Sequence, residues 1–307
     1  MRSPPHRPAS AWLESGARLH LQHGPIDLII GVDSSRVLAR EQALAAAQGC
    51  FETILERLVA ELPRLRAPLT PSNPYPAGPV ARRMYRAARP LCAEYFLTPM
   101  IAVAGAVADE VLHAMVSAAP LRRAYVNNGG DIALHLAAGA SYRVAMARPS
   151  RQTEGQTNDL GRIRLGAASG IRGIATSGQG GRSHSLGIAD SVTVLAASAA
   201  QADTAATLIA NAVDVPDHPG IERTAANRLS PDSDLGARPV VTFTPPLAQT
   251  EITAALQAGT ACARALRQAG HIKAAALFLQ GAHCLIGDLP LMALSENSHP
   301  NLEKTHA

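Results

Sequence analysis

Three short segments of this chain combine residue types that can bind or transform a ligand. The first is Asn127–Asp131, in which two amide side chains and two glycines precede a carboxylate. Paired glycines allow positive backbone φ angles and let a ligand approach the backbone closely. The same Asn-Gly pattern is also a strong signal for a hairpin turn. The residues alone support the two interpretations equally.

The second segment, Thr176–Gly187, is rich in glycine and serine and contains Arg182 and His184. Backbone N–H groups, hydroxyls and a fixed cation are the parts of a phosphate-binding loop. The segment has neither the Gly-Lys-Ser/Thr of a P-loop nor a Gly-x-Gly-x-x-Gly that opens a helix. A flexible loop without a ligand is the alternative that its composition favours.

The third segment holds Asp203 and Thr207, which are four residues apart and therefore project from one face of a helix. A carboxylate, a hydroxyl and backbone carbonyls are ligands for Mg²⁺, and substrate phosphates often supply the rest. The alternative is an aspartate in the first turn of the helix, favoured by the helix dipole, with Thr207 bonding back to a carbonyl.

Periodic patterns predict the elements that must position these segments. Alternating apolar residues predict a hairpin over 17–32, and apolar residues at three- and four-residue steps predict one helix that includes Leu44 and ends at Pro63. The polar, glycine-rich region 148–169 is predicted to be a loop. Further helices are predicted at 100–116, 199–213 and 250–268, and further strands at 123–126, 132–136, 142–147, 171–176, 192–196, 240–243, 274–279 and 283–286.

The order of these elements indicates the fold class. Strands come in pairs with helices between them, not in strict βαβ alternation, so the sequence predicts an α+β fold with an antiparallel or mixed sheet. Of the 307 residues, 47% are hydrophobic and 17% are charged, which excludes global disorder. The net charge of +4 is too weak to indicate a nucleic-acid partner.

Cysteine usage and the N-terminus indicate the compartment. Four scattered cysteines form no metal-binding cluster and are typical of reduced thiols: Cys50, Cys92, Cys262 and Cys284. The N-terminus lacks the apolar run of a signal peptide, and no apolar stretch reaches the roughly 20 residues that span a bilayer. We therefore expect a cytoplasmic protein without a membrane partner.

The expected organisation is a single domain over 11–294, after a disordered segment over 1–10 and before a polar tail over 295–307. Within the domain, region 63–90 holds seven prolines and six arginines and no acid. This composition favours a solvated surface loop, and the alternative is a cationic flap over an anionic ligand. The apolar face of the helix at 250–268 is compatible with a homodimer.

In their order along the chain, the three segments resemble those of the ApbE-like superfamily, whose best-known members are Mg²⁺-dependent FAD:protein FMN transferases. The chain is most similar to a branch of short, cytoplasmic ApbE-related proteins. The resemblance implies a T-fold-like mixed or antiparallel sheet with packed helices. The matching segments are Val103–Asp109, Asn127–Asp131, Ala175–Gly178, Ser183-His184, Ser191–Val194 and Asp203 with Thr207.

The resemblance also implies roles for individual residues. Asp203 and Thr207 would hold Mg²⁺ together with a backbone carbonyl near Val103. In a transferase, His184 would be the general base and Arg182 would stabilise charge on the phosphates. Contacts with FAD, the flavin nucleotide, would come from Asn127, Gly129, Gly130, Thr176, Ser177 and Gly178.

Two departures from the family pattern keep the activity open. Ala104-Gly105 stands where family transferases carry Lys-Gly, and their His-x-x-Asp-Pro-x-Thr-Gly segment is missing after His184. Flavin binding tolerates both changes more easily than FMN transfer does. Three functions are therefore considered: FMN transfer to a client flavoprotein or FAD pyrophosphate cleavage, flavin binding without catalysis, and a metabolic enzyme that uses the scaffold for another nucleotide or a small acid.

Overall fold

The computed structural model describes residues 7–149, 157–181, 183–288 and 291–292. The α-helices are α1 (Val37–Phe51), α2 (Ile54–Ala60), α3 (Leu62–Leu65), α4 (Pro79–Ala88), α5 (Val103–Ala118), α6 (Ala199–Ala212), α7 (Ala226–Leu229) and α8 (Gln249–Gln268). The strands are β1 (Ala9–Leu13), β2 (Arg18–His23), β3 (Ile26–Asp33), β4 (Arg123–Asn128), β5 (Asp131–Leu136), β6 (Ser141–Pro149), β7 (Thr157–Gly166), β8 (Gly173–Ser177), β9 (Ser191–Ala196), β10 (Glu222–Ala225), β11 (Pro239–Phe243), β12 (Ala274–Leu279), β13 (Ala282–Ile286) and β14 (Leu291–Met292).

A nine-stranded sheet forms the centre of the molecule, in the order β1-β2-β3-β4-β5-β8-β9-β12-β13. Every neighbouring pair in it is antiparallel. Strands β6, β7 and β14 form a second sheet, and β10 and β11 form a two-stranded ribbon. The predicted α+β class with an antiparallel sheet is confirmed.

The helices pack on one face of this sheet and bury its apolar side chains. Helix α5 contacts both α1 and α6, these three helices contact the strands β3, β4, β5, β8 and β9, and α8 covers β12 and β13. Alternate residues of the strands, such as Leu28, Ile30 and Val126, face these helices and are fully buried. The core therefore lies between one sheet face and the helical layer.

The segment Pro99–Ala118 is long and apolar enough to cross a membrane by length and composition, with a mean hydropathy of 1.5. It consists of a short 3-10 turn followed by α5, and it includes Asp109 and Glu110, which interrupt the apolar run in the sequence. Helix α5 packs between α1, α6 and the strands β4 and β5. This central position in the domain accounts for its apolar composition.

Two predictions of local structure are wrong. The single helix predicted to end at Pro63 is three helices, α1 to α3, and Pro63 lies in the first turn of α3, where its missing N–H is not needed. The region 148–169, predicted as a loop, contains β7, which pairs with β6. Ile163 and Leu165 of β7 are fully buried, a short alternation that the surrounding glycines and polar residues obscure.

The proline- and arginine-rich region 63–90 contains α4, six of whose ten residues are buried, so the prediction of a solvated loop is wrong for this part. The arginines of the region bind mainly to the protein itself. Arg64 and Arg89 donate to the carbonyls of Pro74 and Pro71. Arg83 pairs with Glu110 at 2.6 Å. These contacts support a structural surface segment and not a flap over a ligand.

The ends of the chain bear on the predicted domain limits. Strand β1 begins at Ala9, inside the segment predicted to be disordered. The predicted tail, 295–307, lies outside the described residues.

Candidate functional site

A cavity of about 430 Å³ lies where the start of α5 meets one face of α6. Its walls come from residues 96–104, from α6 and from two loops, 183–186 and 230–235. The polar and charged side chains on these walls include Thr98, Asp131, His184, Asp203, Thr207 and Asp234. The predicted metal residues Val103, Asp203 and Thr207 and the predicted base His184 therefore share one cavity.

Helices α5 and α6 each supply a carboxylate that caps the start of the other helix. Asp203 in α6 accepts a hydrogen bond from the backbone N–H of Gly105 in α5, at 3.0 Å. Asp109 in α5 accepts from the N–H groups of Ala199 and Ala200 in α6, at 3.0 and 2.9 Å. Because helix N-termini carry unpaired N–H groups and partial positive charge, each carboxylate stabilises the other helix.

Gly105 makes this reciprocal arrangement possible. A Cβ atom at this position would lie 2.3 Å from the backbone oxygen of Ala199, well inside van der Waals contact. Only glycine therefore lets the two helices approach closely enough for the carboxylates to exchange partners. The glycine of the Ala104-Gly105 pair thus has a packing role that is independent of any ligand.

Burial and a neighbouring charge perturb Asp203. Loss of solvent raises the pKa of its carboxyl well above the usual range, and the negative charge of Asp131 raises that pKa further. The N–H groups of Gly105 and Ala104 act in the opposite direction. Burial also raises the pKa of Asp109, against the N–H groups of Ala200 and Ala199.

Asp131 reaches the cavity through the tight turn between β4 and β5. Gly129 and Gly130 form the turn with φ angles of 64° and 115°, and Asn128 pairs with Asp131 across it. Asn127 accepts a hydrogen bond from the N–H of Gly130 at 2.8 Å. The hairpin interpretation of this segment is therefore confirmed, whereas contact of Asn127, Gly129 and Gly130 with a flavin stays a prediction.

Asn128 ties this turn to the helical layer. Its Nδ2 donates to the carbonyl of Ala104 at 3.1 Å, and its side chain is buried. The turn, the start of α5 and Asp203 therefore form one connected unit. The signal in the sequence was the Asn-Asn-Gly-Gly-Asp segment, but its position against α5 follows only from the tertiary fold.

The predicted nucleotide residues lie at the end of β8. Thr207 donates a hydrogen bond to the Ser177 hydroxyl at 3.3 Å, so Ser177 adjoins the cavity wall. Thr176 is exposed and pairs with Thr193 of β9 at 2.9 Å, and Gly178 packs against the backbone of Ala189 and Asp190. Ser177 therefore contacts Thr207, a residue that lines the cavity.

The loop that carries His184 is held by its neighbours. The N–H of Leu186 donates to the side chain of Asn211 at 3.0 Å, and Arg223 donates to the carbonyl of Leu186 at 2.6 Å. His184 itself is exposed on the cavity wall. Arg182, the predicted charge-stabilising residue, lies outside the described residues.

The opposite wall of the cavity contains residues that the sequence did not single out as ligand-binding. The hydroxyl of Thr98, a buried side chain, donates to the carboxylate of Asp234. Within the described part of the lining, Asp131, Asp203 and Asp234 contribute three carboxylates, and lysine and arginine are absent. The described lining of the cavity is therefore acidic, and we call it the acidic cavity.

Comparison with known proteins establishes the family. A family model described as AbpE bacteria matches residues 10–285. The chain belongs to this ApbE-like family. The UPF0280 protein of Methanopyrus kandleri is 34% identical over 191 residues, which cover 60% of this chain and 69% of that protein. The UPF0280 protein of Methanosarcina acetivorans is 30% identical over 218 residues, which cover 70% of this chain and 80% of that protein.

Two solved structures are also similar to this ApbE-like chain. The ApbE protein of Thermotoga maritima is 12% identical to this chain, with a TM-score of 0.44. The match covers 88% of this chain and 96% of that protein. The flavin transferase ApbE of Vibrio cholerae is 16% identical to this chain, with a TM-score of 0.41. The match covers 91% of this chain and 96% of that protein. Neither similarity bears on the activity of this chain.

The donor atoms of this ApbE-like cavity fit a hard cation. Because Thr207 donates its proton to Ser177, its oxygen lone pairs are left to accept or to bind a metal. A cation beside Asp203 and Asp131 would also offset their repulsion. The described residues contain no cluster of three or more His, Cys, Asp or Glu side chains suited to a metal. A site here would therefore depend on hydroxyl, carbonyl and substrate oxygens, as Mg²⁺ sites often do.

Proposed function

We propose that this protein is a Mg²⁺-dependent flavin transferase that takes FAD as substrate and passes FMN to a hydroxyl of a client protein, or to water. Membership of the ApbE-like family supports the flavin chemistry. The observation that carries the proposal is the acidic cavity, in which Asp203 and Thr207 lie one helical turn apart. A cation would offset the repulsion between an anionic pyrophosphate and the carboxylates on the described lining.

Asp203, Thr207 and a backbone carbonyl near Val103 would hold Mg²⁺ in this proposal. The bound ion would supply positive charge to the pyrophosphate oxygens as negative charge develops on them. The carboxylate of Asp203 is already oriented by the N–H of Gly105, so little reorganisation is needed for it to bind a cation.

The chemical step is a phosphoryl-type displacement at the FMN phosphorus. A hydroxyl or water oxygen forms a bond to this phosphorus, and the bond from the phosphorus to the bridging oxygen breaks, so that AMP leaves with the electron pair. His184, exposed on the cavity wall, is the group proposed to take the proton of the attacking hydroxyl. Arg182 is proposed to stabilise charge on the phosphates.

Contacts with the rest of FAD are proposed for the two glycine-rich segments. Residues of the β4–β5 turn would face the flavin, and the end of β8 would lie beside the nucleotide. Ser177 is the best supported of these, because it contacts Thr207. The proposed contact residues are Asn127, Gly129, Gly130, Thr176, Ser177 and Gly178.

One observation favours a second candidate, a flavin-binding protein without transfer activity. Ala104 stands where the family transferases carry lysine, so this position adds no cation to the described cavity wall. Asp203 is also engaged in capping α5, a structural role that would persist without catalysis. In this case FAD would bind in the presence of Mg²⁺ but would not be cleaved.

The decisive assay is AMP release from FAD by the purified protein, with Mg²⁺ and with EDTA in its place. We expect AMP with Mg²⁺ only, and a loss of at least about 100-fold in Asp203→Asn, which keeps an oxygen for the Gly105 N–H. Glu52→Gln, an exposed carboxylate at the end of α1, is the matched control and should behave as wild type.

Three results separate the candidates. FAD binding without AMP release, in wild type and His184→Ala alike, supports the non-catalytic protein. AMP release that persists in Asp203→Asn contradicts the metal site. Absence of FAD binding under every condition contradicts both candidates.

A further inference from the structure

A second concave surface, with the opposite charge, lies on the face of the main sheet that the helices leave uncovered. It has a volume of about 740 Å³ and is formed by β2, β3 and β4 on one side and by the paired strands β6 and β7 on the other. We call it the basic groove. Its main side chains are Arg18, Arg123, Arg143, Arg164, Tyr125 and Tyr142.

The walls of the basic groove are fixed by close packing. The ring of Tyr125 lies across Gly31, where a Cβ atom would come within 2.2 Å of it. Tyr125 and Tyr142 contact each other edge to face, with ring centroids 6.0 Å apart. The guanidinium of Arg123 lies 5.1 Å from the centroid of the Tyr142 ring and donates to the carbonyl of Ser141. The shape therefore exists before any ligand binds.

Few carboxylates balance the arginines. Asp33 is the one acid on the described lining, and it is shared by Arg123 at 2.7 Å and Arg122 at 3.2 Å. Arg18 pairs with Glu14 at the edge of the groove. Within the described part of the chain, Arg143 and Arg164 have no carboxylate partner, and both are exposed.

Arg143 and Arg164 lie directly opposite each other on β6 and β7. Directly paired residues of an antiparallel ladder project from the same face, with Cβ atoms about 5 Å apart, and two like charges in this position are destabilising. The hydrogen bond from Arg164 to the Ser141 hydroxyl, at 3.3 Å, leaves its charge uncompensated. An anion between the two guanidinium groups would turn this repulsion into two attractive contacts.

We propose that the basic groove binds a phosphate-bearing small molecule, with Arg143 and Arg164 as a clamp on its phosphate or pyrophosphate group. Planar guanidinium groups donate parallel hydrogen bonds that match the geometry of phosphate oxygens. Arg123, which also lines the basic groove, adds a third positive charge.

This site is separate from the acidic cavity. The basic groove lies at the Arg123 end of β4, and the turn that carries Asp131 into the cavity lies at the Asn128 end. Five residues of extended strand span roughly 16 Å. The two sites are therefore well separated. Because its own side chains are positively charged, the basic groove needs no divalent cation to bind an anion, in contrast to the acidic cavity.

The test is titration calorimetry with inorganic pyrophosphate in EDTA, which removes the cation required for binding in the acidic cavity. We expect saturable binding to the full chain, with a dissociation constant that rises with salt and increases at least about tenfold in Arg143→Ala and in Arg164→Ala. The matched control is Arg86→Ala, an exposed arginine of α4, which should bind as wild type does.

Thermal melting of the same variants guards against a folding defect. Arg143→Ala should melt no lower than wild type without a ligand, and pyrophosphate should raise the melting temperature of wild type but not of this variant. Absence of saturable binding overturns the proposal, as does equal weakening in Arg86→Ala, because that result indicates a non-specific charge effect. Neither outcome depends on whether FAD is a substrate.

Discussion

The acidic cavity and the basic groove lie near opposite ends of β4 and concentrate opposite charges. The cavity holds Asp131, Asp203 and Asp234, and the groove holds four arginines. In the cavity the backbone N–H groups of a helix N-terminus offset part of the charge of Asp203. In the groove, Arg123 meets Asp33 and the Tyr142 ring, Arg18 meets Glu14 at the edge, and Arg143 and Arg164 are exposed.

The difference between the two regions is mainly one of solvent. Charges that are withdrawn from water interact strongly, and exposed charges are screened by water and salt. In the cavity, burial raises the pKa of Asp203 and the negative charge of Asp131 raises it further, whereas repulsion between the exposed Arg143 and Arg164 is modest. A counter-ion would reduce the electrostatic repulsion in both regions, and the reduction would be larger in the buried cavity.

The largest expected difference concerns the two glycines that shape these regions. Gly105→Ala places a Cβ atom against the backbone of Ala199, which cannot move without separating α5 from α6, and should lower the free energy of unfolding by about 3 kcal/mol. Gly31→Ala meets one edge of the Tyr125 ring and no backbone atom, so a shift of this side chain against Tyr142 can relieve the clash, and the loss should be smaller, about 1 kcal/mol. Urea denaturation measures both, and equal losses would contradict this comparison.

The next effect concerns one carboxylate in each region. Asp109→Ala leaves the N–H groups of Ala199 and Ala200 without their acceptor and should lower the free energy of unfolding by about 2 kcal/mol. Asp33→Ala removes a partly exposed ion pair and should lower it by less than about 1 kcal/mol. The same denaturation experiment tests the order, and a larger loss for Asp33→Ala would reverse it.

A third effect is the pH dependence of stability without divalent cations. The folded-state pKa of Asp203 is raised above its unfolded value by burial and by Asp131, so the folded protein holds this proton more tightly. The free energy of unfolding should therefore fall as the pH rises from the usual carboxyl range towards the raised pKa. Denaturation in EDTA across this pH range should show that the free energy of unfolding falls less steeply with pH in Asp203→Asn than in wild type. An identical slope would argue against a raised pKa of Asp203 in the folded protein.

The smallest effect is expected in the basic groove. Arg143→Ala removes one of two directly opposed positive charges and should raise the free energy of unfolding by a few tenths of a kcal/mol at low salt. The gain should disappear at high salt, because both side chains are exposed. Melting curves at two salt concentrations measure it, and destabilisation at low salt would show that Arg143 has an attractive partner.

The sequence predicted the parts of this fold whose pattern is local. The β2–β3 hairpin, α6 and α8 follow from alternation or helical periodicity, and the common helix face of Asp203 and Thr207 follows from their spacing. The break between α1 and α2 falls at Glu52-Thr53, where there is no proline and the nearest glycine, Gly49, lies inside α1, and the alternation of β7 is hidden among polar residues. These two elements depend on tertiary packing more than on local pattern.

The candidate site shows the same limit. Asp203 was identified, but its bond to the N–H of Gly105 depends on the approach of two helix starts that are about a hundred residues apart. Thr98 and Asp234 meet across a similar separation, and neither belongs to a motif. Spacing along the chain can predict which residues share a helix face, but it does not predict which distant segments close a cavity.

The most direct test of the central claim is FAD binding, followed by flavin fluorescence, with Mg²⁺ or with EDTA. If the acidic cavity admits the pyrophosphate only with a cation, wild type should bind FAD at least about tenfold more tightly with Mg²⁺, and Asp203→Asn should lose that difference. Equal affinity of wild type for FAD with Mg²⁺ and with EDTA would contradict the account.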